Sequence, residues 1–195
     1  MRSQGLEESV PGVAKKKIIA GESLLYRVMY AREAGAVKRC HTQRFFGHYD
    51  VAQHTFNALC ILRLLRPEAP TWAIWHLLGH DTPERLTGDI PATAKWFGIT
   101  SFKLDDVEEQ ILAESGMGPV VIDPEWSAVI KGIDLLELYM WARDQIFMGN
   151  RFMNNMAIRI ENWFRKNADN LPSDVLALYY ATRNSEWFQC NELGD

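Results

Sequence analysis

The apolar and polar positions of the chain fall into helical stretches separated by Gly and Pro. Leu24, Leu25, Val28 and Met29 recur at helical spacing from Glu22 to a stop at Gly35. After the loop-like stretch KRCHTQRFFGHYD, a second helix is expected from about Asp50, which can cap it, to Leu65, with Val51, Ala58, Ile61 and Leu65 on one stripe and Pro67 beyond the end. TWAIWHLLGH is apolar nearly all round, the pattern of a helix buried at the domain centre. Pro83, Gly88 and Pro91 mark a turn-rich connection. Further helices are expected at about 91–97, 103–115, 124–148, 151–168 and 173–188, with breaks at Gly116, Gly118, Pro119, Gly149 and Pro172. No strand pairs, internal repeat or low-complexity run stand out. The expectation is an all-α helical bundle of about seven or eight helices, forming one domain over 18–195 behind a polar lead-in, 1–17, that ends in three lysines.

Against that pattern, a few polar residues occupy positions that ought to be apolar. His54 falls inside the stripe of the second helix, at i+3 from Val51 and i−4 from Ala58. His80 closes the third apolar segment and is followed at once by Asp81. In the long helix, Ile130, Leu138 and Trp141 stand at i−4, i+4 and i+7 from Asp134. A carboxylate buried without a partner is too costly to keep, so such groups neutralise one another or bind a cation. One divalent metal would satisfy His54, His80, Asp81 and Asp134 together, because two imidazoles and two carboxylates make the mixed nitrogen and oxygen set that Zn, Co, Mn, Fe and Ni accept. The competing reading makes each a hydrogen-bonded core residue.

The segment HDTPERLTGDIP adds Glu84, one helical turn past Asp81, and Asp89; either can act as a general acid or base, or simply serve as a turn and cap residue. His76, one turn before His80, is a partner for it or an ordinary core or surface histidine. Trp72, Trp75, Trp126 and Trp141 read as core.

Composition narrows the partners. The chain has 195 residues, 47% of them hydrophobic, which is about the size of one domain with a sizeable core. A net charge of −4 offers no general positive field for a nucleic-acid polymer, while a small anionic ligand needs only a few local cations or a metal. Cys40, Cys60 and Cys190 are widely spaced with no CxxC pair, and no apolar run approaches the roughly 18 residues of a membrane span. A cytoplasmic protein without a membrane partner is expected. There is no GxxxxGK loop, GxSxG elbow or HExxH helix.

The ordered set His54, His80-Asp81, Asp134 resembles the H…HD…D signature of the HD-domain phosphohydrolases. HDTPERLTGDIP is similar to the HDxxExxTGDxP segment of their YfbR-like 5′-deoxynucleotidase branch, and KRCHTQRFFGHYDVAQHT to the stretch upstream of it, with Arg39 fifteen positions before His54. The likeness covers roughly residues 36–150, and RCHT on a short chain resembles the DatZ-type dATP triphosphohydrolases of phages within that branch. The resemblance implies metal ligation by His54, His80, Asp81 and Asp134. It also implies acid/base or water-positioning roles for Glu84 and Asp89, and phosphate contact by Arg39. Arg44 and Lys95 are weaker candidates for the phosphate, or solvated charges. Cys40 stands where the nucleotidases have Trp, so Cys40 and Thr42 are candidates for lining the sugar or base pocket. The activity implied is metal-dependent hydrolysis of dATP, dADP and dAMP to deoxyadenosine, clearing dATP in a phage that uses 2-aminoadenine, with additional Mg or Co on the substrate phosphates and a homodimer or homohexamer as the assembly. The alternatives are a 5′-deoxynucleotidase restricted to monophosphates, a phosphodiesterase of signalling nucleotides, and a non-enzymatic helical binding protein stabilised by its metal.

Overall fold

The computed structural model describes residues 24–91, 104–118 and 123–185. Among them the chain is all-helical: α1 Leu24–Gly35, α2 Val51–Leu65, α3 Thr71–Gly79, the single turn α4 Glu84–Thr87, α5 Leu104–Ser115, α6 Pro124–Phe147, α7 Asn154–Lys166 and α8 Ser173–Asn184, with 3₁₀ turns at Arg151–Met153 and Ala168–Asn170. The described residues contain no strand, and an isolated bridge pairs Lys38 with Asp50. No described helix is long and apolar enough to cross a membrane. The lead-in 1–17, most of the helix expected at 91–97, the residues of the last expected helix beyond Ser185, and with them Lys95 and Cys190, lie outside the described residues.

The bundle is organised around α6. Asp123 caps it through Glu125 N–H, and Pro124 at the first helical position costs no hydrogen bond there. Apolar side chains then follow on all its faces. Val129, Ile130 and Ile133 pack with Ala58 and Leu62 of α2 and Ala73 and Leu77 of α3. Leu136 and Tyr139 pack with Ile160 and Phe164 of α7 and Val175 and Tyr179 of α8. Trp141 and Ala142 pack with Tyr49 and Met153. Large apolar side chains buried in this way contribute about 1.5–3 kcal/mol each, so α6 is the element on which three core regions depend. Gly132 lets α8 close onto it, since a methyl group at that position would meet Val175 Cγ1 at 2.7 Å.

The central helix is therefore α6 and not the apolar segment at 71–80. α3 buries Ala73 and Leu77, while Trp75 on its opposite side is 54% exposed, so Trp75 is not core. A nine-residue helix that packs against α2 and α6 offers them one face, however apolar the other is. Trp141 is buried, and Trp72 stacks edge-on against Trp126 at the border of the α2/α3/α6 core. The apolar face read on α1 is also turned outward: Leu24, Leu25, Val28 and Met29 are exposed, and α1 buries Tyr30 and Ala34.

Candidate metal centre

Three helical regions deliver the polar residues to one place. Asp50 caps α2 by accepting from Gln53 N–H at 2.8 Å, which starts the helix so that His54 points inward beside Val51 and Ala58. The α3 helix ends at Gly79, where Thr82 turns the chain by donating its hydroxyl to the Gly79 carbonyl at 2.6 Å, and His80 and Asp81 sit on that turn. Asp134 comes from the middle of α6.

His54, His80 and Asp81 form a group whose ligand atoms all lie within 4.8 Å of one another and which could hold a metal ion. Asp134 borders it, with Oδ1 3.2 Å from His54 Nε2 and 3.9 Å from His80 Nε2. Asp81 stands on the other side, Oδ1 3.2 Å from His80 Nε2 and Oδ2 3.5 Å from His54 Nε2.

The donor chemistry of this group fits a cation. His80 Nδ1 donates to the Leu77 carbonyl at 2.8 Å, and His54 Nδ1 donates to Glu137 Oε2 at 2.5 Å; both partners accept, so each ring carries a proton on Nδ1 and, in its neutral form, a lone pair on Nε2. Both Nε2 atoms are buried and have no hydrogen-bond partner. Lone pairs on two imidazoles thus face carboxylate oxygens, an arrangement of acceptors against acceptors that requires positive charge between them.

A proton can supply that charge in part. Burial disfavours the charged His54 ring, but Asp134 and Glu137 outweigh it and raise His54 to about 9. His80 is raised in the same way, against burial, by Asp81 and Asp134. The carboxylates answer in the opposite direction. Although burial opposes it, His80 and Arg39 lower Asp81, and Lys131 with the two imidazoles holds Asp134 well below the ordinary range.

Arg39, expected as a phosphate contact, lies beside Asp81 and Glu84. Its side chain is buried, its Nη1 pairs with Asp81 Oδ2 and lies 3.5 Å from Glu84 Oε1, and its Nε is an unspent buried donor. Glu84 stands beside it with Oε2 buried and unpartnered. Burial first, then the neighbouring Asp81 charge, raises Glu84 to about 8 despite the opposing pull of Arg39. Asp89 Oδ2 accepts the Cys40 N–H at 2.6 Å and lies 3.7 Å from His41 Nδ1. That bond steadies Cys40 at a φ of +53°, a conformation unusual for a residue with a side chain. The Cys40 side chain packs against the Tyr49–Trp141–Met153 cluster, and burial pushes its thiol up to about 12. Thr42 is exposed in the same loop, and Arg44 is exposed with its guanidinium over the Phe152 ring, 5.6 Å from the centroid. His76 lines a cavity of about 160 Å³ next to His80, together with Glu109, Leu112 and Met117.

Four residues at or near the centre were not singled out from the sequence. Glu137 is 3% exposed and accepts from Tyr49 Oη at 2.6 Å, from Asn57 Nδ2 at 3.1 Å and from His54 Nδ1. Lys131 Nζ donates to Asp134 Oδ2 at 2.6 Å while its side chain remains 57% exposed. Glu137 and Lys131 lie three residues after and before Asp134, on its own helical face, and so carry the same local signal in the sequence as Asp134. Tyr49 and Asn57 carry no comparable local signal.

Fold and site together define an all-α protein with a histidine and aspartate centre able to hold a metal ion. Compared with known proteins, the chain matches no family model and no curated protein.

Proposed function

We propose that this chain is a metal-dependent phosphohydrolase of the HD-domain type acting on deoxynucleotide phosphates, with dATP, dADP and dAMP as the leading substrates and removal of dATP in a phage as its setting. The observation that carries the proposal is the pair of buried Nε2 atoms, one on His54 and one on His80, set beside the same carboxylate and left without hydrogen bonds. His54, His80, Asp81 and Asp134 would hold the ion. When bound, a divalent cation in such a site acidifies a water and polarises a phosphoryl oxygen.

The chain's own residues do the rest. Arg39, fully charged beside Asp81, places a planar, multiply donating cation where negative charge spreads over phosphoryl oxygens. Glu84 is the general acid: its carboxyl holds a proton near neutrality and has an oxygen free to deliver it to the departing oxygen of the substrate. Asp89 holds the loop that carries Arg39 through its bond to Cys40 N–H. Lys131 has two ammonium donors beyond the one on Asp134 and an exposed side chain that can offer them to an anion.

Purified protein assayed against all deoxynucleoside mono-, di- and triphosphates with Mn²⁺, Co²⁺, Zn²⁺ and Mg²⁺ tests this reading. The expected result is phosphate or tripolyphosphate release from deoxyadenosine nucleotides that stops on chelation. Activity on monophosphates alone would make it a 5′-deoxynucleotidase; activity on cyclic or signalling nucleotides alone, or on no nucleotide at all, would overturn it.

A further inference from the structure

Glu137 is the most deeply buried carboxylate at the centre, yet it faces away from the ligand atoms and lies outside the phosphohydrolase chemistry outlined above. Both of its oxygens are engaged: Oε1 by Asn57 Nδ2 at 3.1 Å, Oε2 by Tyr49 Oη at 2.6 Å and His54 Nδ1 at 2.5 Å. His54 and Asn57 lie one turn apart on α2, so a single side chain from α6 grips the same face of α2 twice. Tyr49 is fully buried, stacked on Trp141 with ring centroids 4.2 Å apart, and its carbonyl accepts the Arg39 N–H at 3.0 Å. The carboxylate therefore meets, through one intermediate, the loop that bears Arg39.

We propose that Glu137 is the positioning residue of the metal centre, fixing the His54 ring as its Nδ1–H tautomer with Nε2 aimed at Asp81 and Asp134, with Tyr49 setting where that carboxylate stands. The proposal rests on the metal-centre reading of His54, His80, Asp81 and Asp134. A carboxylate behind a ligating imidazole raises the basicity of the opposite nitrogen and removes the freedom of the ring to rotate, and loss of such a partner typically weakens metal binding by about 10–100-fold. Here the second and third donors on Glu137 extend that effect, because the orienting group is itself held on three sides.

The test is Co²⁺ titration of the full chain, followed by the visible absorption of the bound ion, on the wild type, Glu137→Gln and Tyr49→Phe, with thermal melts of each and ¹⁵N NMR of the imidazoles. The wild type should bind Co²⁺, and Glu137→Gln should bind it about 10–100-fold more weakly at a pH where its melt shows it folded. Tyr49→Phe should lose less, and His54 should be protonated at Nδ1 in the wild type. Glu137→Gln binding Co²⁺ as tightly as wild type, or His54 carrying no proton on Nδ1, would overturn the role of Glu137 while leaving the metal centre standing. A wild type that binds no Co²⁺ would overturn both. Should Glu137→Gln fail to fold, the wild-type tautomer and the Tyr49→Phe titration decide: Nδ1 protonation with weakened binding supports the role, and either one absent refutes it.

Discussion

His54 and His80 present the same atom, Nε2, to the same Asp134 oxygen, but they are held in different ways. The His54 side chain has no exposed surface and leans on the Glu137–Tyr49–Asn57 network between α2 and α6. The His80 side chain keeps 18% exposure, is fixed by one backbone carbonyl of its own helix end, and borders a cavity of about 160 Å³. The difference teaches that the centre has a stiff inner wall built by long-range packing and a more open outer wall built by a local turn. Glu84 and Asp89 both belong to the chain that follows the outer wall.

The comparison breaks most sharply by removing each imidazole. His54→Ala should abolish Co²⁺ binding and destabilise the fold by about 3 kcal/mol, because it leaves Glu137 buried with a donor missing. His80→Ala should abolish binding equally but cost below about 1.5 kcal/mol, since one carbonyl at a helix end loses one partner. Equal losses in chemical denaturation would show that the two walls do not differ.

Next in size is Glu84→Gln, which should lower kcat by about 100-fold while Co²⁺ affinity changes little, as expected of a proton donor that is not a ligand. With Glu84 raised to about 8, the protonated form is lost as pH rises, so wild-type kcat should fall on the alkaline side. A cation bound beside it draws that limb to or below about pH 8, and the limb should be missing from the residual activity of Glu84→Gln. A collapse of metal binding in this variant would move Glu84 into the ligand set. Lys131→Met should raise KM by about tenfold with kcat nearly unchanged, which marks a contact that substrate and transition state share. An unchanged KM would reduce Lys131 to a surface partner of Asp134.

The smallest effect is on stability. In chelator-treated protein, the folded Glu84 carboxyl takes up its proton more readily than in the unfolded chain, so its ionisation costs stability as pH rises from its ordinary 4.5 through about 8. Glu84→Gln should melt with the wild type at pH 4 and on the order of 5 °C above it at pH 9. A gain at pH 4 as large as at pH 9 would show that burial strain and not ionisation is the cause.

Much of the bundle was legible in local chemistry. Asp50, Pro124 and Pro67 punctuate helices whose observed bounds differ by a residue or two from the apolar pattern, because capping and proline geometry act within one turn, and Pro172 marks the start of α8, which ends at Asn184, short of the expected 188. His54 and Asp134 stood out because each breaks an apolar face, His80 because it closes an apolar segment, and Asp81 because it follows His80 at once. What failed was the assignment of centre and surface. Periodicity says that α3 and α1 have apolar faces but not what covers them, and it cannot show that the less uniformly apolar α6 is the helix surrounded by four others. Glu137 was missed inside LLELYMW, although it breaks its face as Asp134 does, because its partners Tyr49 and Asn57 are 88 and 80 residues away. Tyr49 acquires meaning only when the loop before α2 meets α6.

The most direct measurement is X-ray anomalous scattering from crystals of the full chain grown with Co²⁺, with data on both sides of the cobalt edge. One Co²⁺ per chain, ligated by His54, His80, Asp81 and Asp134 with Glu137 behind His54, is the expected result. A chain whose four side chains bond among themselves, with cobalt absent or bound elsewhere, would contradict it.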